Sequence, residues 1–252
     1  MEVHAHTHSA RKNWTHYFWE FLMLFLAVFC GFLAENQREH FSEHKREKQY
    51  AASLLEDLRH DTADLNENIP FWERYNRKID TIRMELEKDP STRNHGLLYF
   101  CISALQNNNK FRYSDRTITQ LKNAGNFRLI RKKIITDSLV SYDNMIVTVI
   151  SNVQESFDQH SFARAELQDQ LFNSKLYVLR NDTHYREIVD AAGRDNPAII
   201  AMNKNKEDIV FRFYNKLYAI WWVNNARIRF EKTLLRQAGN LVELIKKEYK
   251  LK

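Results

Sequence analysis

The sequence predicts an all-α protein in which an N-terminal transmembrane helix continues as a charged stalk into a soluble multi-helix bundle. Three observations point there. Tyr17 to Ala34 form eighteen positions whose only charged member is Glu20. Five glycines and three prolines in 252 residues fall far below the usual ~7% and ~5%, leaving few turn residues for a sheet. Elsewhere the apolar residues recur at steps of three and four, the helical period.

At about 1.5 Å per residue, a helix from Trp14 to Ala34 covers the ~30 Å of a bilayer's hydrocarbon. A buried core helix would show a polar face, yet Phe21 to Ala34 is uncharged on every side. A cleaved signal needs small residues one and three positions before the cut. A cut after Ala34 puts Phe32 at the upstream position, and one after Gly31 puts Phe29 there. Phe29 is also too bulky for a lipoprotein signal at Cys30. The reading is therefore one uncleaved span over 14–34, behind a flexible tail over 1–13. Trp14, Tyr17 and Trp19 lie where an interfacial aromatic belt belongs. Glu20 is an intramembrane carboxylate, by default a functional group; the preferred alternative is that it reaches the headgroup boundary. Gly31, with Ala27 and Ala34, is a weak helix-packing signal.

The flanks disagree about orientation. Arg11 and Lys12 precede the span; Arg38, Lys45, Arg46 and Lys48 follow it, interleaved with Glu35, Glu39, Glu43 and Glu47. Counting Lys and Arg places the C-terminal side inside. A short tail with a basic pair before an uncleaved apolar run has instead the form of a signal anchor, which leaves the domain outside. The signal anchor is preferred, which places the soluble domain on the far side of the membrane.

Residues 35–49 are almost wholly polar helix formers and form the stalk, and 50–252 form one soluble helical domain. An apolar stripe resumes at Leu54, Leu55, Leu58, Leu65 and Ile69. Pro70 permits a helix start or a kink, so a second helix is placed over 71–88, closed by Asp89-Pro90. A third covers 96–108. Asp115 is a good N-cap for a short helix through Leu121, and Gly125 a natural left-handed terminator. A long helix over 131–177 turns Ile135, Leu139, Tyr142, Ile146, Val149, Val153 and Phe157 inward. A shorter one covers 185–192. The last runs over 206–248 with the stripe Tyr214, Leu217, Trp221, Ile228, Leu235, Val242 and Ile245, its gaps filled by Asn224, Glu231 and Ala238. That is a bundle or coiled-coil seam with two polar positions.

Most of the net charge of +6 lies in one segment. Residues 110–133 hold Lys110, Arg112, Arg116, Lys122, Arg128, Arg131, Lys132 and Lys133 against one acid, Asp115. With Phe111, Tyr113 and Phe127 interspersed, this composition can bind a polyanion. In a tethered protein an anionic lipid or small anion is the natural ligand, and nucleic acid the least favoured. The structural alternative, which is preferred, pairs these bases with the acids between Glu56 and Glu67. His4, His6 and His8 project to one side of an extended chain and are of ligand type, but without a scaffold they make a weak site. The residues show no Gly-rich phosphate loop, CxxC pair or HExxH motif. No enzyme, cofactor or metal is expected, and Cys30 and Cys101 offer no disulfide framework.

Two parts of the chain carry a family likeness: WTHYFWEFLMLFLAVFCGFLAENQREH with REKQYAASLLEDLRHDT, and SDRTITQLKNAGNFRLIRKK. They resemble an uncharacterised family of single-pass membrane proteins from Bacteroidota, a domain of unknown function. The likeness covers most of the chain and is weakest after Asn181. Thr117, Gln120, Leu121, Lys122, Gly125, Leu129 and Ile130 are similar to the family's second block. The resemblance implies the anchor and the helical domain, and brings no activity or ligand with it. The resulting expectation is a membrane-anchored interaction or scaffold module that holds a protein partner or itself, as a homo-oligomer. The alternative is a membrane-tethered sensor or binding domain for an anionic ligand or lipid through 110–133.

Overall fold

A computed structural model of the chain describes residues 14–173 and 207–251, with no strand among the described residues. The chain divides between Tyr50 and Ala51 into two compact units. Helix α1, Trp14–Leu86, contributes to both. The tail histidines and the helix expected over 185–192 lie outside the described residues.

In the first unit the apolar run of α1 is exposed nearly all round, and burial begins at Glu47, before the second unit. One window of 18 residues has a mean hydropathy of 2.0 and none of it is buried. Among the described residues this is the one helix long and apolar enough to cross a membrane. Phe21 stacks on Phe25 and Phe25 on Phe29, with centroids 6.2 and 5.9 Å apart. Helical side chains lean toward the N-terminus, and Glu20 accordingly reaches back to His16 at 3.3 Å. The carboxylate thus points to the polar end of the run, the direction snorkelling requires. In the polar stretch that follows, Arg38 donates to Glu35 at 2.9 Å.

The second unit is a bundle of three long helical segments. The first is α1 from Ala51 onward. Its buried seam runs through Ala51, Leu54, Leu58, Asp61, Leu65, Asn68, Trp72, Tyr75, Ile79, Ile82 and Leu86, with Leu55, Asp57, Ile69, Asn76 and Glu85 buried beside it. Alternating steps of three and four over five heptads are the signature of a coiled-coil-like seam. The second segment is α4 (Lys133–Asn144), a π-helical stretch (Met145–Ile150) and α5 (Ser151–Leu171) in unbroken succession. The third is α6, Glu207–Tyr249. Asn68 meets Glu231 and Arg83 meets Tyr214, so α6 runs antiparallel to α1. Phe157 packs on Trp72 at 4.9 Å and Phe172 on Phe213 at 5.8 Å. Together with the Tyr142 bond to Asp61, these contacts run the second segment parallel to α1 and antiparallel to α6. Helix α2 (His95–Ala104), capped by Asn94, closes one end: Tyr75 donates to the Leu105 carbonyl and the Asn173 amide to Tyr99. Helix α3 is Arg116–Asn123; Gly125 at φ 62° then leads into a 3₁₀ turn, Asn126–Leu129.

Three expectations need correction. Pro70 neither begins nor ends a helix, because α1 runs through it. A proline in a helix interior costs about 3 kcal/mol. Leu65, Ile69 and Trp72 around it are 0%, 6% and 0% exposed, and their burial holds the helix together. The long helix expected over 131–177 ends at Leu171 and contains a π stretch, whose i→i+5 turns hold an extra residue. That rotates the inner face: Ile146 is buried, Val149 and Val153 only half-buried, and burial resumes at Phe157. On α6 the seam alternates through Phe213, Leu217, Ile220, Asn224, Arg227, Glu231, Leu234, Ala238, Leu241 and Ile245. Tyr214, Trp221, Leu235 and Val242, expected inside, flank it half-buried.

Phe213, 0% exposed, should cost about 3–5 kcal/mol when replaced by alanine. Guanidinium unfolding of the Phe213→Ala variant measures this, and a loss below about 1 kcal/mol would remove Phe213 from the core.

Candidate functional site

Between α2 and α3 the chain from Lys110 to Asp115 is not helical, so its backbone donors need partners from elsewhere. Helix α1 supplies partners for two of them and for one in the first turn of α3. Asp57, Asp61 and Asp64, spaced four and three apart, share one face. Asp64 accepts from the Arg112 amide at 2.9 Å, Asp61 from the Ser114 amide at 2.8 Å and Asp57 from the Thr117 amide at 3.0 Å. Three rungs of carboxylate thus strap the start of the basic segment to the bundle. Asp115 stands at the N-cap of α3 without a side-chain cap bond.

The basic side chains meet acids above and around these rungs. Arg112 Nε lies 3.0 Å from Asp64, and Arg116 Nη2 lies 3.1 Å from Glu56 and 3.0 Å from Asp57. Lys110 reaches Asp158 at 3.5 Å, Lys122 reaches Asp143 at 2.5 Å and Lys132 reaches Glu248 at 2.8 Å. Arg131 is exposed and also has a partner. Arg128 and Lys133 are exposed and form no ion pair among the described residues. The acids of 56–67 therefore do engage the segment, joined by Asp143, Asp158 and Glu248, which sequence spacing gave no means of finding. Arg112 is 82% exposed, so its ion pair is worth under about 1 kcal/mol. The bonds from backbone amides to carboxylates, each worth about 1.5–3 kcal/mol, dominate.

Beneath the strap two phenols reach two carboxylates. Tyr142 donates to Asp61 at 2.9 Å and Tyr113 to Asp143 at 3.1 Å. Burial pushes the Asp61 carboxyl above its ordinary value, while the Ser114 amide and the Tyr142 hydroxyl hold it down. Burial and then the neighbouring acids raise both phenols, which stay neutral donors.

A second polar group lies inside the α1–α6 seam. Asn68, Asn224, Arg227 and Glu231 are 0%, 0%, 2% and 1% exposed. The sequence singles out Asn224 and Glu231. Arg227 and Asn68 escape notice, although Arg227 lies at the step of three that the alternation requires. Among the described residues no three His, Cys, Asp or Glu side chains gather as a metal-ligand set.

Asp57→Ala removes an acceptor from the buried Thr117 amide and should cost about 2–3 kcal/mol. Arg128→Gln with Lys133→Gln should stay within about 0.5 kcal/mol of wild type. Urea unfolding of both proteins checks the contrast, and equal losses would contradict the strap. No family model matches the chain, and no curated protein or solved structure matches it.

Proposed function

We propose that the chain is a membrane-anchored helical interaction module, held in the bacterial inner membrane by residues 14–34 and acting through its helical domain. The observation that carries this reading is an aromatic face on α6. Phe211, Tyr218 and Trp222, at steps of seven and four, are 67%, 42% and 51% exposed. The Arg83 guanidinium lies over Tyr214 and Tyr218 at 5.1 and 4.8 Å, and Tyr218 stacks on Trp221 at 6.0 Å. Trp, Tyr and Arg are the residues that dominate protein–protein hot spots. The exposed apolar window of α1 supports the anchor; an inner membrane is what the expected Bacteroidota resemblance implies.

The test is self-association. In mild detergent the full chain should run as a stable oligomer by light scattering. Tyr218→Ala with Trp222→Ala should weaken it at least about tenfold, as expected for hot-spot residues, with helicity unchanged. A wild-type chain that is monomeric and binds no partner overturns the reading. A reporter fused after Lys252 should read periplasmic.

A second reading has one observation of its own: Arg128 and Lys133 are exposed and unpaired among the described residues, beside Arg131 and Lys132. These side chains can meet an anionic lipid or small anion, each contributing about 1 kcal/mol near a charged surface. Replacing both by Gln should lower retention on phosphatidylglycerol vesicles, and unchanged retention removes this reading.

A further inference from the structure

Arg227 and Glu231 lie one turn apart on α6, both almost wholly buried, yet their charges do not meet. Glu231 Oε1 accepts from Asn68 at 2.8 Å, while Oε2 has no hydrogen-bond partner. Arg227 Nη2 has none either. The guanidinium instead lies 4.1 Å from the Trp72 ring centroid and 4.9 Å from that of Phe157. One cation therefore has two competing partners: aromatic faces on two other helices, and a carboxyl at the i,i+4 spacing that ion pairs favour.

The outcome depends on the charge of Glu231. A carboxyl with one hydrogen bond in a dry core resists ionisation, and as a neutral acid it exerts little pull on the guanidinium. The rings then hold the cation. Once the proton leaves to solvent, two full opposite charges stand one turn apart in a desolvated site, and their attraction exceeds that of a ring quadrupole. The neighbouring charged and titratable groups are few. From α1 they are Asp64, already paired with Arg112, and Tyr75; from α5, Asp158 and Arg164; on α6 itself, Lys232, paired with Glu73 at 2.8 Å.

We propose that Arg227 and Glu231 form a proton-operated switch in the bundle core, in which the guanidinium leaves Trp72 and Phe157 to pair with Glu231 when that carboxyl ionises. Trp72 and Phe157 belong to different helices, so the move alters packing across all three segments. Burial pushes the Glu231 carboxyl up to about 7, against the pull of Arg227 and Asn68. Burial lowers Arg227 only to about 10, so it stays a cation throughout the transition. The sign follows: a carboxyl raised above its unfolded value stabilises the fold at low pH, and that contribution is lost as the pH climbs through about 7.

The test reads Trp72 in the full chain in detergent, as wild-type emission minus that of Trp72→Phe, between about pH 5 and 9, the range in which a core carboxyl raised by burial titrates. The expected result is one transition centred near the Glu231 value, absent in Glu231→Gln, whose signal stays at the acid level. A flat wild-type difference, or a transition that persists in Glu231→Gln, overturns the switch. A measurement that needs no core variant is the carboxyl ¹³C titration of the glutamate-labelled full chain. One carbon should titrate near neutrality; if every carbon titrates in the ordinary carboxylate range, the switch is equally overturned.

Discussion

The antiparallel seam between α1 and α6 is the constraint on which the second unit depends. Each helix presents a buried position every three or four residues over about five heptads, a pattern that fixes which side chains face one another. A seam of apolar residues alone could slip by a heptad at little cost. Here Asn68 opposite Glu231, and Trp72 opposite Arg227, favour one alignment, since a slip of one heptad would set Arg227 against Leu65 or Ile79 in place of the Trp72 ring. Buried polar groups of this kind best serve register rather than stability. The third segment joins the same layer, because Phe157 touches both Trp72 and Arg227.

Much of this was legible in the residues. The helical class followed from periodicity and the scarcity of Gly and Pro, and the polar positions Asn224 and Glu231 stood out as interruptions in an apolar stripe. What escaped has physical causes. A helix's own pattern cannot choose between Arg227 and Ile228 as the inward residue, because that depends on the partner's shape; both are buried here. The π stretch MIVTVI carries no Gly or Pro to announce it, and its wider turns rotated the face beyond Ile146. Pro70 carries a strong local rule, yet packing around Trp72 overrides it.

The basic segment shows the same limit from the other side. Its eight bases suggest a ligand, and its acids in α1 suggest an internal answer; composition weighs the two without deciding. Backbone geometry decides part of it. A stretch without helix must place its amide donors somewhere; Asp64 and Asp61 take two of them, and Asp57 takes the Thr117 amide in the first turn of α3. Arg112 and Arg116 follow because their own segment is already held there. Side chains beyond α3, where no rung of carboxylate reaches, are where exposed cations such as Arg128 and Lys133 remain.

Helix α1 therefore carries three different surfaces in succession: an apolar run, an acidic ladder and a seam with a polar layer. The ladder and the seam interlock at Asp61, which is a buried seam position and also a rung that accepts from Ser114 and Tyr142. Burial raises the Asp61 carboxyl, as it raises that of Glu231, but the two sites are built differently. Asp61 receives two donors and has no cation to redistribute, so its protonation would loosen the strap locally. Glu231 receives one donor and faces a cation already shared with two aromatic rings. A proton there changes how three helices pack, because the side chain that answers it is the one holding them together.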